Sequence, residues 1–414
     1  HDGDAGAVVR SLCDEECVAF AEEDRLVAPA AIPNDYYYAY EWHLPKIGAP
    51  AAWDRTTGDP DVVIAILDTG VRGDHEDLSL KMVPGWNVYD DNADTADING
   101  HGTAVAGQAA AITNNGVGVA APAWGCSIMP IRISDLNSYA SFSAMAQGLV
   151  WAADHGARVA NISYASSGDS VTVAAGATYF RDAGGLVTTA AGNYGDFDPN
   201  PDNPTVLNIS ATDNNDLVPY WSSVGNDIDL SAPGVGILST SISGGYLSGT
   251  GTSASAPIVA GVAALVMSAN PSLGPQAVED ILARSADDLG LAGWDSSYGW
   301  GRVNAGRAVA MAMGDEPPSP PTPDTEPPTI VITYPAEGAT VSRPIGVRVT
   351  ASDNAGVVRV DLYVDGAFYK SASSSPWTIS WNARKAASGA HSLVCRASDA
   401  AGNVGESAAV GVVR

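Results

Sequence analysis

Lysine is scarce in this sequence: four residues in 414, and basic residues of both kinds number 20 against 47 acidic ones. A formal charge of −27 repels phosphate, which argues against nucleic acid and anionic membranes as partners. The same field favours cations and basic peptides, or keeps a protein soluble at high salt. Long hydrophobic runs are also missing, since none reaches the ~20 residues that span a bilayer. Cysteine is limited to Cys13, Cys17, Cys126 and Cys395, which excludes a disulfide framework and offers no zinc spacing. Cys13 and Cys17 are close enough to pair or to share a helix face. Cys126 and Cys395 fall in segments assigned below to different domains and are not expected to pair.

What is abundant is glycine, with 44 residues, and hydrophobic residues at 45%, ample for a core in a chain long enough for two or three domains. The charge is uneven. From Thr329 to Arg414 eight Lys/Arg stand against six Asp/Glu, leaving 12 basic and 41 acidic groups elsewhere.

Residues 314–328 read GDEPPSPPTPDTEPP, a stretch that cannot build a core and is expected to extend as polyproline II. Ahead of this linker, strand-like and helical patterns alternate. DVVIAILD (61–68), SIMPIRI (127–133), RVANISY (158–164) and GLVTTAAGN (185–193) read as strands, the first a near-continuous apolar run of the kind buried in a parallel sheet. HGTAVAGQAAAI (101–112), SFSAMAQGLVWAADHG (141–156), TVAAGATYFRDAG (172–184) and SAPIVAGVAALVMSAN (255–270) read as helices, the last with Pro257 in its first turn. The expected fold class of residues 32–313 is therefore α/β, a mostly parallel sheet flanked by helices with its site at the carboxyl ends of strands. After the linker TIVITYP, GVRVTASD, VVRVDLYVDG, WTISWNA and HSLVCRASD alternate with period two between Gly-containing turns. Residues 329–414 read as a small antiparallel β-sandwich.

Three short segments carry the chemistry of acyl transfer, which needs a nucleophile, a base, a group that orients the base, and donors for an oxyanion. ILDTGV ends a buried strand in Asp68, where an acid is costly unless hydrogen-bonded. NGHGTAVAG places His101 between glycines at a helix start. SGTGTSASAP places Ser253 just before a helix whose amino-terminal amides stabilise negative charge.

DTG, HGT and GTSxxxP in the order Asp, His, Ser resemble the signature blocks of the subtilase family. AAGN (190–193) resembles its oxyanion segment, and APAAWD, WSSVG, SAPGVGILST and YGWGRVNA extend the likeness over residues 33–312. The resemblance implies Ser253 as nucleophile, His101 as general base, Asp68 as its orienting acid and Asn193 as oxyanion donor. It implies a substrate-lining strand at Ser163, Tyr164 and Ala165, where the family usually reads Ser-Leu-Gly, with Gly192 and Tyr194 also at the substrate. The acidic loop 196–204 should border the pocket for the side chain before the scissile bond (P1), where Asp196 and Asp198 either favour basic P1 residues or are solvated. Ala254 stands where the family often has Met, which implies resistance to oxidants. His75, in DHEDL, lacks the glycine-flanked setting and is expected to be a solvated loop residue.

PNDYYYAYEWHLPKIGAPAAWD (33–54) resembles the amino-terminus of thermitase-like members of the family. That likeness implies a structural Ca²⁺ ion held by Asp35, Asp77 and Asn115, although the loop TNNGVG is about two residues shorter than the family's. A second set aligns in WNVYDDNADTAD at Asn87, Asp90 and Asn92, and clustered oxygen ligands suit hard Ca²⁺. CVAFAEEDRLVAPAA (17–31) resembles the end of a propeptide that inhibits its own enzyme, which makes residues 1–31 a propeptide remnant; the alternative is an unremoved extension. Maturation near Ala30–Ile32 would discard Cys13 and Cys17. Residues 329–414 resemble bacterial immunoglobulin-like repeats, either a spacer or a binder of insoluble protein or cell-surface glycan. Trp377 and Trp381 there are either core or a binding face.

The expectation is a secreted, monomeric serine endopeptidase acting on proteins and peptides with broad, hydrophobic or basic, P1 preference. The competing readings are an adhesin that has lost hydrolysis and a processing protease of narrow specificity.

Overall fold

The structure, a computed structural model, describes residues 32–165, 167–315, 326–353, 356–372, 375–399 and 403–414. Segment 1–31, with Cys13 and Cys17, and most of the proline-rich stretch lie outside them. The chain divides into two compact units between Pro317 and Pro318.

The first unit is built on seven parallel strands: β1 (Val63–Asp68), β2 (Trp86–Asn87), β3 (Ser127–Arg132), β4 (Val159–Ile162), β5 (Leu186–Ala190), β6 (Leu207–Thr212) and β7 (Leu230–Pro233). Their spatial order is β2-β3-β1-β4-β5-β6-β7, and β8 (Ile237–Thr240) and β9 (Tyr246–Gly249) form a separate antiparallel pair. β1 lies between β3 and β4, with Ile66 opposite both Pro130 and Asn161. The order reverses at β1, so a crevice opens past the carboxyl end of that strand.

Helices cover both faces, which is why the strands read as continuous apolar runs. Ile64 and Ile66 face α1 (His101–Ala110), α4 (Thr252–Ala269), α5 (Pro275–Ser285) and α6 (Ala305–Ala312). Ala65 and Leu67 face α2 (Phe142–Asp154) and α3 (Val171–Asp182). Each large aliphatic side chain so buried contributes about 1.5–3 kcal/mol. Ser141 caps α2 by accepting from Ala144 N, and Ser170 caps α3 by accepting from Val173 N. Among the described residues α4 is the one helix long and apolar enough to cross a membrane; it is buried almost all round as the core of this unit.

Two expectations shift. β5 stops at Ala190 and does not run to Asn193, because Gly192 (φ +117°) turns the chain away from the sheet. α4 begins at Thr252, so Pro257 lies inside the helix and not in its first turn.

The second unit pairs two sheets. One is β10 (Thr329–Tyr334), β12 (Ile345–Ser352) and β15 (Thr378–Trp381) in the order β10-β12-β15. The other runs β11 (Ala339–Thr340), β18 (Val410–Val413), β16 (Ala390–Asp399), β13 (Val357–Val364), β14 (Ala367–Ala372), with β17 (Val404–Glu406) also on β16. The pairing is antiparallel except that β11 runs parallel to β18. Trp377 and Trp381 lie in the core with Val347, Leu362, Ile379 and Cys395, which settles their alternation as packing rather than a binding face.

Candidate active site

Asp68 ends β1 with no exposed surface, and α1 starts at His101 against it. Gly102 permits the approach, since a Cβ there would sit 2.1 Å from Gly70 O and 3.0 Å from Asp68 Cβ. His101 Nδ1–H donates to Asp68 Oδ1 at 2.8 Å and Oδ2 at 3.0 Å, while Thr69 N–H donates to Oδ1 at 2.7 Å. A carboxylate accepts only, so the imidazole carries its proton on Nδ1 and leaves Nε2 as the base. The Asp68 charge, more than offsetting burial, holds the imidazole above its ordinary range.

Ser253 occupies the first turn of α4. Pro257 has no N–H to donate to the carbonyl four residues back, and that carbonyl belongs to Ser253. Ser163 Oγ–H takes the vacant role and donates to Ser253 O at 3.0 Å. The nucleophile candidate is thereby tied to the segment that leaves β4, and Ser163 is buried to 6% exposure in doing so. Among the described residues Ser253 Oγ makes no hydrogen bond to His101; such bonds often close only when substrate is bound.

Asn193 follows β5, and Thr252 fixes its amide. Asn193 Oδ1 accepts from Thr252 N–H at 2.8 Å and from Thr252 Oγ1–H at 3.1 Å, and Thr252 Oγ1 accepts from Gly192 N–H at 3.0 Å. With Oδ1 so occupied, Nδ2 is turned toward the cleft as donor. A Cβ on Gly251 would meet Ser253 Oγ at 3.0 Å and Asn193 Nδ2 at 3.1 Å, so glycine leaves open the space those two atoms share. Thr252 was not singled out from the sequence; its place in the GTS block was the available signal.

Tyr164 stands beside His101, ring centroids 6.4 Å apart and edge-on, with its hydroxyl donating to Ser138 O at 3.1 Å. Burial and then Asp68 push its phenol up. A Cβ on Gly192 would lie 3.5 Å from Ala165 Cβ and 3.1 Å from Ser223 Oγ, so Ala165, Gly192 and Ser223 wall one hollow. Ser223 Oγ donates to Asp196 Oδ1, and Tyr194 is 78% exposed at the same edge. Asp198 gathers with Asp169 and Asp227, with oxygens within 4.8 Å of one another. Burial pushes Asp227 up to about 6. Asp169 and Asp227 come from other segments, and no local pattern joins them to Asp198.

His75 is not the solvated residue expected. It is 2% exposed, its Nδ1 accepts from Asp77 N–H at 3.1 Å, and its Nε2–H donates to Gly245 O at 2.8 Å. Both nitrogens are engaged in holding the turn.

The first metal set converges. Asp35 accepts from Asn114 N–H at 2.7 Å and Asn115 N–H at 3.3 Å. Asp77 accepts from Asn115 Nδ2 at 2.6 Å and Val119 N–H at 3.0 Å. Both acids are buried, and burial holds both above the usual carboxylate range. Glu41, 1% exposed with Oε1 lacking a partner among the described residues, is pushed up to about 8 by burial and by the charges of Asp35 and Asp77. Among the described residues no Lys or Arg forms an ion pair with any of the three. The second set shares one loop but is internally satisfied. Asn87 Nδ2 donates to Asp90 Oδ2 at 3.1 Å, Asn92 Oδ1 accepts from Asp94 N–H at 2.8 Å, and Arg132 Nη1 lies 3.3 Å from Asp90 Oδ2.

Comparison with known proteins places this arrangement. The subtilase family profile matches residues 59–301 and a bacterial Ig domain profile matches residues 328–394. Thermitase of Thermoactinomyces vulgaris is 38% identical over 280 residues, 67% of this chain and 99% of thermitase. The halolysin-like extracellular serine protease Nep of Natrialba magadii is 35% identical over 312 residues, 72% of this chain and 57% of Nep. A solved protease structure from Pseudoalteromonas arctica superposes with a TM-score of 0.61 at 30% identity, covering 68% of this chain and all of that one. The chain belongs to the subtilase family of serine proteases and carries a bacterial Ig domain.

Proposed function

We propose that the chain cleaves peptide bonds through Asp68, His101 and Ser253. Ser253 Oγ attacks the scissile carbonyl as His101 Nε2 takes its proton, and the acyl-enzyme forms as that proton passes to the leaving amine. Asp68 keeps the imidazole tautomer and stabilises its cation. Asn193 Nδ2 receives the oxyanion. The observation that carries this reading is the paired Nδ1–H contact of His101 with buried Asp68, at 2.8 and 3.0 Å, which leaves Nε2 as the basic nitrogen. Substrate lies along Ser163, Tyr164 and Ala165 with its P1 side chain by Gly192 and Tyr194, and Asp196 on Ser223 supports acceptance of basic as well as hydrophobic P1 residues.

The enzyme is secreted, as the name of the Natrialba relative says of that protein. Residues 1–31 act as a propeptide that inhibits the enzyme until cleavage, 32–313 form the catalytic domain, 314–328 the linker and 329–414 the immunoglobulin-like sandwich. Asp35, Asp77 and Asn115 would hold one Ca²⁺ ion, since among the described residues the two buried acids form no ion pair with Lys or Arg; the ion would supply the missing positive charge there. A second ion at Asn87, Asp90 and Asn92 requires Arg132 to release Asp90.

The test is casein hydrolysis and fluorophosphonate labelling of the purified chain beside Ser253→Ala. Activity and label that both vanish in the variant support the triad. Casein hydrolysis that persists in Ser253→Ala refutes it, and a wild-type protein inert after removal of 1–31 favours the adhesin.

A further inference from the structure

The DTG and HGT segments lie more than thirty residues apart, and their threonines meet on one side chain. Asp97 Oδ1 accepts from Thr69 Oγ1–H at 2.8 Å, Asn99 N–H at 3.0 Å and Gly100 N–H at 2.8 Å. Its Oδ2 accepts from Thr103 N–H at 2.8 Å and Thr103 Oγ1–H at 2.5 Å. Five donors thus converge on one carboxylate.

Each hydroxyl relays the contact onward. Thr69 Oγ1 accepts from Gly102 N–H at 2.9 Å, and Thr103 Oγ1 accepts from Arg72 N–H at 3.0 Å. Thr69 N–H holds Asp68 Oδ1. The first amides of a helix have no partner within it; in α1 they are met by Asn99 for His101 N–H at 3.2 Å, Thr69 for Gly102 and Asp97 for Thr103. The cap residue Gly100 contributes no side chain, so Asp97 caps α1 from outside it, and its charge sits at the positive end of the helix.

We propose that Asp97 is a positioning residue for catalysis: it locks the Asp68 turn to the start of α1, so that the imidazole of His101 is held on Asp68 with Nε2 aimed at the nucleophile. The inference rests on the triad reading above. It adds a residue with no place in the acyl-transfer chemistry, bound to both sides of the dyad and to neither reacting atom.

The titratable groups facing the imidazole are Asp68 from the end of β1, Asp97 from the loop before α1, and the Tyr164 phenol from the segment after β4. Both carboxylates raise the affinity of His101 for its proton. Removing the Asp97 charge therefore lets the imidazole lose its proton at lower pH, and the acid limb of activity moves down.

Asp97→Asn tests this, because an amide replaces one acceptor oxygen by a donor and faces N–H and O–H groups whichever way it turns. Fluorophosphonate titration counts active sites, so that kcat is read per working molecule. Expected is a fall in kcat of about 10- to 100-fold, the scale of a misplaced catalytic group, with KM little changed and the acid limb shifted to lower pH. Thr69→Val, which leaves the carboxylate in place, should lower kcat in the same direction, and Thr69→Ser should restore it. NMR of the His101 ring in a Ser253→Ala background reads the loss of the Asp97 charge without turnover, as a titration at lower pH.

A merely structural role for Asp97 would reduce the number of active sites and leave per-site kcat at its wild-type value in both Asp97→Asn and Thr69→Val; that result overturns the proposal. So does wild-type kcat in Thr69→Val if Asp97→Asn does not fold. If the wild-type protein takes no fluorophosphonate, the triad reading fails first and this inference falls with it.

Discussion

Glu41 offers a test that can be worked through in numbers. Its carboxyl is almost wholly buried, with Oε2 accepting from Ala120 N–H at 2.8 Å and Oε1 without a partner among the described residues. Burial first, then the charges of Asp35 and Asp77, push its pKa from an ordinary 4.5 up to about 8. For an acid raised on folding, the folded state binds more protons than the unfolded one between those two values. Glu41 therefore adds no penalty below pH 4.5, and stability drains away as pH rises until the folded group ionises near 8. At about 1.4 kcal/mol per pH unit the loss approaches ~5 kcal/mol by pH 8 and is ~2 kcal/mol at pH 6. Glu41→Gln keeps the shape and the acceptor for Ala120 N–H but cannot ionise. Urea unfolding of Ser253→Ala protein in EDTA, with and without Glu41→Gln, should give equal stabilities near pH 4. A gap that favours the glutamine should then open toward pH 8 and shrink when calcium is added. A gap independent of pH would refute the reasoning, since it would mean that packing and not ionisation separates the two side chains.

Other outcomes follow from the site. Asn193→Ala should lower kcat by ~10²–10³; Thr252→Val should lower it less, and the double variant should be no worse than Asn193→Ala in peptide hydrolysis. Additive losses would separate Thr252 from the oxyanion donor. Calcium at 100 times its Kd should stabilise the protein by ~2.7 kcal/mol in thermal unfolding, and Asp77→Asn should abolish that response; a full response in the variant moves the ion elsewhere. Ala254, 3% exposed directly behind Ser253, offers no sulfur to peroxide, so activity should survive oxidation that inactivates Ala254→Met.

Much of this was legible from local pattern. Asp68, His101, Ser253 and Asn193 sit in short blocks whose glycines and strand ends follow directly from where backbones must approach closely. The apolar runs of β1, β3, β4 and β5 identified strands covered on both faces. The start of α4 was harder to read, because Thr252 and Ser253 are polar and Pro257 looked like a first-turn proline; the helix continues through it because Ser163 supplies the hydrogen bond the proline removes. His75 was misjudged for a similar reason. A histidine among acids in a loop reads as solvated, and only the packing of the 241–246 turn over it shows both ring nitrogens engaged.

The α/β class of the first unit, the β-sandwich of the second and the residues proposed for acyl transfer could be read from the chain, because these depend on short-range periodicity and on motifs a few residues long. Tertiary structure alone decided that Asp97 would join Thr69 to Thr103, that Thr252 would orient Asn193, that Asp169 and Asp227 would gather at Asp198, and that Glu41 would share a buried acidic region with Asp35 and Asp77. Each of those contacts links segments brought together by the order of the parallel strands, and a side chain's charge or hydrogen-bond role in them depends on which distant groups that order sets beside it.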